Sequence, residues 1–78
     1  MTIKFNFRDQ YNFEIDSHGY LVGTGTLKNA PNDKYIINIS FDHVDTTIPF
    51  ASFTMVCDSW HQAEARASKV YEGLVAYL

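Results

Sequence analysis

Cys57 is the only thiol of the chain, and His61 follows it by four residues. A thiolate paired with an imidazole is the minimum for nucleophilic catalysis, and a cysteine just ahead of a helix N-terminus sits where a thiolate is stabilised. No third group that would orient the imidazole is evident. An inert, packed cysteine ending an apolar strand is therefore the simpler reading. His18, His43 and His61 are the imidazoles available to a metal. No two of them have HxH or HxxxH spacing, and the nearby acids Asp16, Asp42, Asp45 and Asp58 are typical turn and cap residues, so no metal site is expected. "GTGTL" (23–27) has the glycines of a phosphate loop but lacks the lysine and the following helix such a loop requires. These residues point to a protein that is not an enzyme and carries no cofactor.

Composition bounds the remaining classes. With 78 residues, one domain spanning 1–78 is expected. The chain is 46% hydrophobic and 19% charged, a globular balance far from that of disordered segments. Six Phe and five Tyr suggest a β-rich core. The net charge is −3, and six Lys and Arg spread over the chain form no basic patch, so direct nucleic-acid binding is disfavoured. A single cysteine excludes a disulfide framework and fits a reducing compartment, so a cytoplasmic location is expected. The N-terminus has no apolar signal core, no apolar run approaches membrane-spanning length, and the chain reads as a complete small reading frame.

The elements that would position these residues follow from periodicity. "IKFNF" (3–7) alternates, placing Ile3, Phe5 and Phe7 on one face and Lys4 and Asn6 on the other. Tyr11, Phe13 and Ile15 alternate in the same way with Asn12, Glu14 and Asp16, so the two runs form a hairpin. "DSHG" (16–19) is a turn in which Gly19 is free to take positive φ. A third strand is expected over 20–27. In it Gly23 and Gly25 share a face and mark a bend, a bulge or a close approach. "KNAPND" (28–33) reads as a loop, 34–42 as a fourth strand and 43–49 as a connection. A fifth strand over 50–57 has apolar residues on both faces, which suits a central position.

Asp58 or Ser59 can cap the helix that follows, and Ser59 with Gln62 has capping-box spacing. At 100° per residue, Trp60, Ala63, Ala67, Val70, Tyr71, Leu74, Val75, Tyr77 and Leu78 form one apolar arc. His61, Gln62, Arg66, Ser68, Lys69 and Glu72 fill the opposite side. Glu64 falls near the edge of the arc, where a carboxylate snorkels at the rim, a buried acid being the alternative. The expected fold is α+β: an antiparallel meander of four to five strands with one C-terminal helix packed on one face (β-β-β-β-β-α).

One helix covers one sheet face, so the other faces water. Lys4, Asn6, Asn12, Glu14 and Asp16 lie on that face, and Asp42 and Asp45 follow the fourth strand. These seven residues are the candidate partner-binding set, and a host protein or protein complex is the expected partner. Self-association into a homodimer, through a strand edge or the outer face, is a further expectation.

Two family resemblances bear on that partner. The chain's size, acidic charge and sheet-plus-helix plan resemble those of small phage-encoded inhibitors of bacterial defence, the anti-CRISPR proteins. This resemblance implies a stoichiometric inhibitor that occludes a nucleic-acid or effector surface of a host defence nuclease complex in the host cytoplasm. Glu14, Asp16, Asp42 and Asp45 would then stand in for phosphates. "DSWHQAEARASKVYEGLVAYL" is similar to the helix of HicB-type antitoxins, and "IKFNF" followed by "FEIDSHGYLV" to their opening strands. That resemblance implies a toxin as partner. A structural homo-oligomer is the remaining alternative.

Overall fold

Ile3, Phe5, Phe13, Ile15, Val22, Leu27, Ile37, Ile39 and Phe41 are buried, and polar or small residues separate most of them along each strand. Period-two burial of this kind lets a sheet keep one dry face and one wet face. In a computed structural model, residues 3–41 and 51–76 are described. They form β1 (Lys4–Phe7), β2 (Asn12–Ser17), β3 (Tyr20–Ala30), β4 (Lys34–Phe41), β5 (Ala51–Cys57) and α1 (Trp60–Ala76). The strands make one antiparallel meander in the order β1-β2-β3-β4-β5, with the helix on one face, so the α+β architecture is as the periodicity predicts. Asp42, His43, Asp45, Phe50, Tyr77 and Leu78 lie outside the described residues. Among the described residues no helix is long and apolar enough to cross a membrane.

Two turns are set by left-handed backbone. His18 (φ 51°) and Gly19 (φ 86°) connect β2 to β3 directly, with Ser17 opposite Tyr20. Asn32 (φ 63°) and Asp33 (φ 57°) follow Pro31 and make the turn between β3 and β4, where the Lys34 N–H donates to the Pro31 carbonyl (3.4 Å). A pair of positive-φ residues matches the twist of the flanking strands in tight hairpins, and Asn, Asp and Gly tolerate it best. This shortens the loop expected over 28–33. Lys28, Asn29 and Ala30 pair with Ile36, Tyr35 and Lys34, so β3 runs to Ala30.

The glycines of β3 mark both a bulge and a close approach. Ile15 pairs with Gly23 and Asp16 with Leu21, so Val22 is the extra residue, and its side chain is buried. Gly25 stands opposite Phe13, and a Cβ there would collide with the Phe13 ring and the Asn38 carbonyl. The missing side chain makes room for the stack of Phe13 on Phe5, whose centroids are 4.3 Å apart.

Strand five is an edge strand, not a central one. Its partly buried Ala51, Phe53 and Met55, with buried Cys57, belong to the core side, and its exposed Ser52, Thr54 and Val56 to the other. The apolar character on both sides of β5 therefore reduces to Val56, which pairs with Ile36 on the outer face.

The helix starts as its sequence specifies. The Gln62 N–H donates to Ser59 Oγ (3.3 Å), and Gln62 Oε1 accepts the Asp58 N–H (3.0 Å), a capping box whose return bond falls one residue early. Ala63 and Ala67 are fully buried, which brings the helix backbone close to the sheet, and Tyr71 packs on Phe41 at 5.3 Å. Two helix positions differ from the periodicity. Glu64 is only 5% exposed, not at the rim, and Ser68, expected on the polar side, is buried as well. Val70 and Val75, expected in the apolar arc, are exposed.

The reason lies in the sheet edge. The Phe5 N–H donates to Glu64 Oε2 (2.8 Å), and the Ile3 N–H to Ser68 Oγ (3.4 Å). Two helix residues four apart thus serve Phe5 of β1 and Ile3, the residue just ahead of that strand. On the far edge, Arg66 Nη1 donates to the Val56 carbonyl (3.3 Å). One helix therefore ties both edges of the sheet.

Candidate functional site

Two surfaces come forward. The first is the outer face of β1 and β2. The register places Lys4 opposite Asp16 and Asn6 opposite Glu14, so four of the expected partner-binding residues are immediate neighbours. Asn6 Nδ2 donates to Asp16 Oδ2. Arg8, just past β1, pairs with Glu14 at 2.9 Å, and the carboxylate's hydrogen bond and charge raise the Arg8 pKa. Asn12 begins β2, and its Nδ2 bonds to Asp9. The face continues across β3 to β5 with hydroxyls and amides. Asn38 Nδ2 donates to Thr26 Oγ1 (3.3 Å), and Thr54 Oγ1 donates to Asn38 Oδ1. Lys4, Asn6, Asn12, Glu14 and Asp16 thus come together as the alternation predicts. Arg8 joins them, a residue that periodicity leaves in the connection. Asp42 and Asp45 lie outside the described residues.

The second surface is a cleft of about 610 Å³ at one end of the sheet. The β1–β2 turn contributes Asp9 and Tyr11, the strands contribute Phe7 and Tyr35, and the start of the helix contributes Asp58, Trp60 and His61. Asp9 is fixed by its own turn. Its Oδ1 accepts the Tyr11 and Asn12 N–H groups, both at 2.8 Å, and the Tyr11 bond leads in holding its pKa below the ordinary value, ahead of the Asn12 side chain and backbone. Asp58 is also held down, by the hydrogen bond and then the charge of Lys34, which pairs with its Oδ1. Trp60 is half-buried, 5.2 Å from Phe7 edge-on and 3.8 Å from His61 in a stack. Tyr11, expected on the core face of the second strand, stands instead in the turn and is 52% exposed. Asp9 Oδ1 takes the Tyr11 and Asn12 N–H groups, while the Tyr11 carbonyl still accepts the Leu27 N–H (2.8 Å), so Tyr11 joins the sheet by its carbonyl alone. The alternating run hid this cleft. Its one sequence signal is an aromatic in a polar turn, "RDQY", matched by "DSWH" at the helix start.

Among the described residues the cysteine and the histidines form no catalytic pair: of the histidines only His61 is in the cleft, and His43 lies outside the described residues. Cys57 is buried with its Sγ 3.5 Å from Arg66 Nη1, while His61 is turned onto Trp60. His18 serves a turn. Among the described residues no three His, Cys, Asp or Glu side chains converge as a metal cluster. Protein-family models, curated proteins and solved structures yield no match to this chain.

Proposed function

We propose that this protein acts by binding another protein, as a stoichiometric inhibitor that covers an effector surface of a host defence nuclease complex, encoded by a phage or mobile element. The observation that supports protein binding is the outer face of β1 and β2. There Asn6 is tied to Asp16 and Arg8 to Glu14, and Lys4 stands opposite Asp16 in the register. A polar surface whose side chains are held before contact loses little rotamer freedom on binding, and its charge pattern selects a partner. The mechanism is steric cover with polar matching. Mimicry of phosphates would need unneutralised acids, and here Arg8 holds Glu14 while Lys4 stands opposite Asp16.

The test is capture from host lysate with the tagged protein, with and without nuclease treatment, followed by the same capture with Glu14→Gln/Asp16→Asn. These substitutions remove charge and keep shape, whereas Lys at position 16 would face Lys4 across the strands. The expected result is a stoichiometric protein partner that survives nuclease treatment and is lost in the double variant. A complex lost on nuclease treatment, or retained by the variant, refutes the proposal. A toxin as the captured partner would favour the antitoxin alternative. The homo-oligomer alternative has its own support in β5, an edge strand with half-buried Phe53 and Met55 and 57% exposed Val56. Sedimentation of the purified protein decides it.

A further inference from the structure

We infer that the cleft between the β1–β2 turn and the helix N-terminus is a socket for an arginine side chain of a partner protein. This inference rests on the protein-binding reading and gives it a second contact. Phe7, Tyr11, Tyr35 and Trp60 line the cleft together with His61, which stacks on one face of Trp60, and the two carboxylates that line it are Asp9 and Asp58. No lysine or arginine is among the lining residues, although Lys34 reaches Asp58 Oδ1. A cation is attracted to the faces of aromatic rings, and the planar guanidinium also pairs in a two-pronged manner with carboxylates. A lysine ammonium would meet the same charges but lacks the flat surface that stacks. An anionic group would meet two carboxylates, with Lys34 offsetting the charge of Asp58, and a purely apolar group would draw nothing from them. Both acids stay ionised well into the acid range, because hydrogen bonds and Lys34 hold their pKa values down. Their positions are set before any ligand arrives. Asp9 is locked into its turn by three donors, and Asp58 adjoins the capping box.

The only tryptophan of the protein lies in this cleft, so its emission reports occupancy directly. The full-length protein is titrated with a capped Gly-Arg-Gly peptide, with the citrulline peptide of the same shape and no charge, and with tetramethylammonium. The Trp60 indole N–H signal in NMR is the second readout. The arginine peptide is expected to saturate with an affinity of about millimolar, as befits one side chain. The citrulline peptide should not saturate. Asp9→Asn and Asp58→Asn should each weaken binding about two- to fivefold, the loss of one exposed ion pair, and circular dichroism checks that both variants fold. Lys34→Ala should act in the opposite direction and tighten binding, because it releases Asp58 Oδ1. Equal response to arginine and citrulline, or no saturation in either readout, overturns the inference. Tetramethylammonium binding as tightly as the peptide would assign the cleft to a small free cation and overturn partner docking. The titration needs no partner, so its failure is distinct from failure of the capture experiment. A captured partner indifferent to Asp9→Asn and Asp58→Asn overturns the socket alone.

Discussion

Replacing Glu64 by Ala opens the sheet edge that the helix closes. Glu64 is 5% exposed and Phe5 4%, so the Phe5 N–H loses the carboxylate that accepts it in a dry place. A buried donor left unpaired costs about 1–3 kcal/mol. The whole domain, at typical per-residue values, has about 4–12 kcal/mol to lose. For a chain of this size that translates into a melting temperature lower by about 5–20 °C. Glu64→Gln separates the hydrogen bond from the charge, because an amide oxygen can still accept. Since burying a charge is itself unfavourable, Gln should lose about 1 kcal/mol or less. Thermal melts of the three proteins give the stability order wild type, Gln, Ala. Amide hydrogen exchange adds the residue: Phe5 should lose protection in the Ala variant and keep it in the Gln variant. An exposed edge also pairs with other chains, so the Ala variant should associate with rising concentration. An Ala variant that melts with the wild type and still protects Phe5 would refute the edge-capping role.

Gly25→Ala should destabilise by about 1–3 kcal/mol in denaturant titration, because its Cβ meets the Phe13 ring and the Asn38 carbonyl. Gly73→Ala, where a Cβ meets nothing, should not destabilise. Stability should fall in acid partly through Asp9. Its folded pKa lies below the ordinary 3.8, so its contribution is present above that value and is lost as pH falls through the depressed folded value. Asp9→Asn should flatten that part of the stability–pH curve while keeping the turn, as followed by equilibrium unfolding across the acid range.

The fold was legible in the sequence because its signals are local. Alternation over 3–7 and 12–16 specifies which side chains share a face, whatever lies above that face. The tight turn at His18–Gly19 and the box of Ser59 and Gln62 are likewise written within a few residues. The outer-face group of Lys4, Asn6, Glu14 and Asp16 follows from the same period once β1 and β2 are a hairpin. Their pairwise order, and the capture of Glu14 by Arg8, needed the register.

What periodicity misplaced depends on contacts between distant segments. Glu64 and Ser68 look like rim and solvent residues on a helical wheel, because a wheel knows hydrophobicity and not unpaired N–H groups. The strand that needs them is about 60 residues away in the chain, and only docking brings its Phe5 and Ile3 amides to the helix. Val22 enters the core through a bulge that pattern alone does not locate. Strand five reads as central because Val56 is apolar, yet it ends the sheet order at an edge. The cleft gathers a turn, three strands and a helix start that are far apart in the chain, and its only sequence signal is an aromatic in each of two polar stretches. Alternation, turn chemistry and capping are properties of neighbours along the chain, and the sequence by itself determined them. Which polar groups are buried, which edge is closed and which aromatics surround two carboxylates are properties of neighbours in space, and those only the tertiary structure decided.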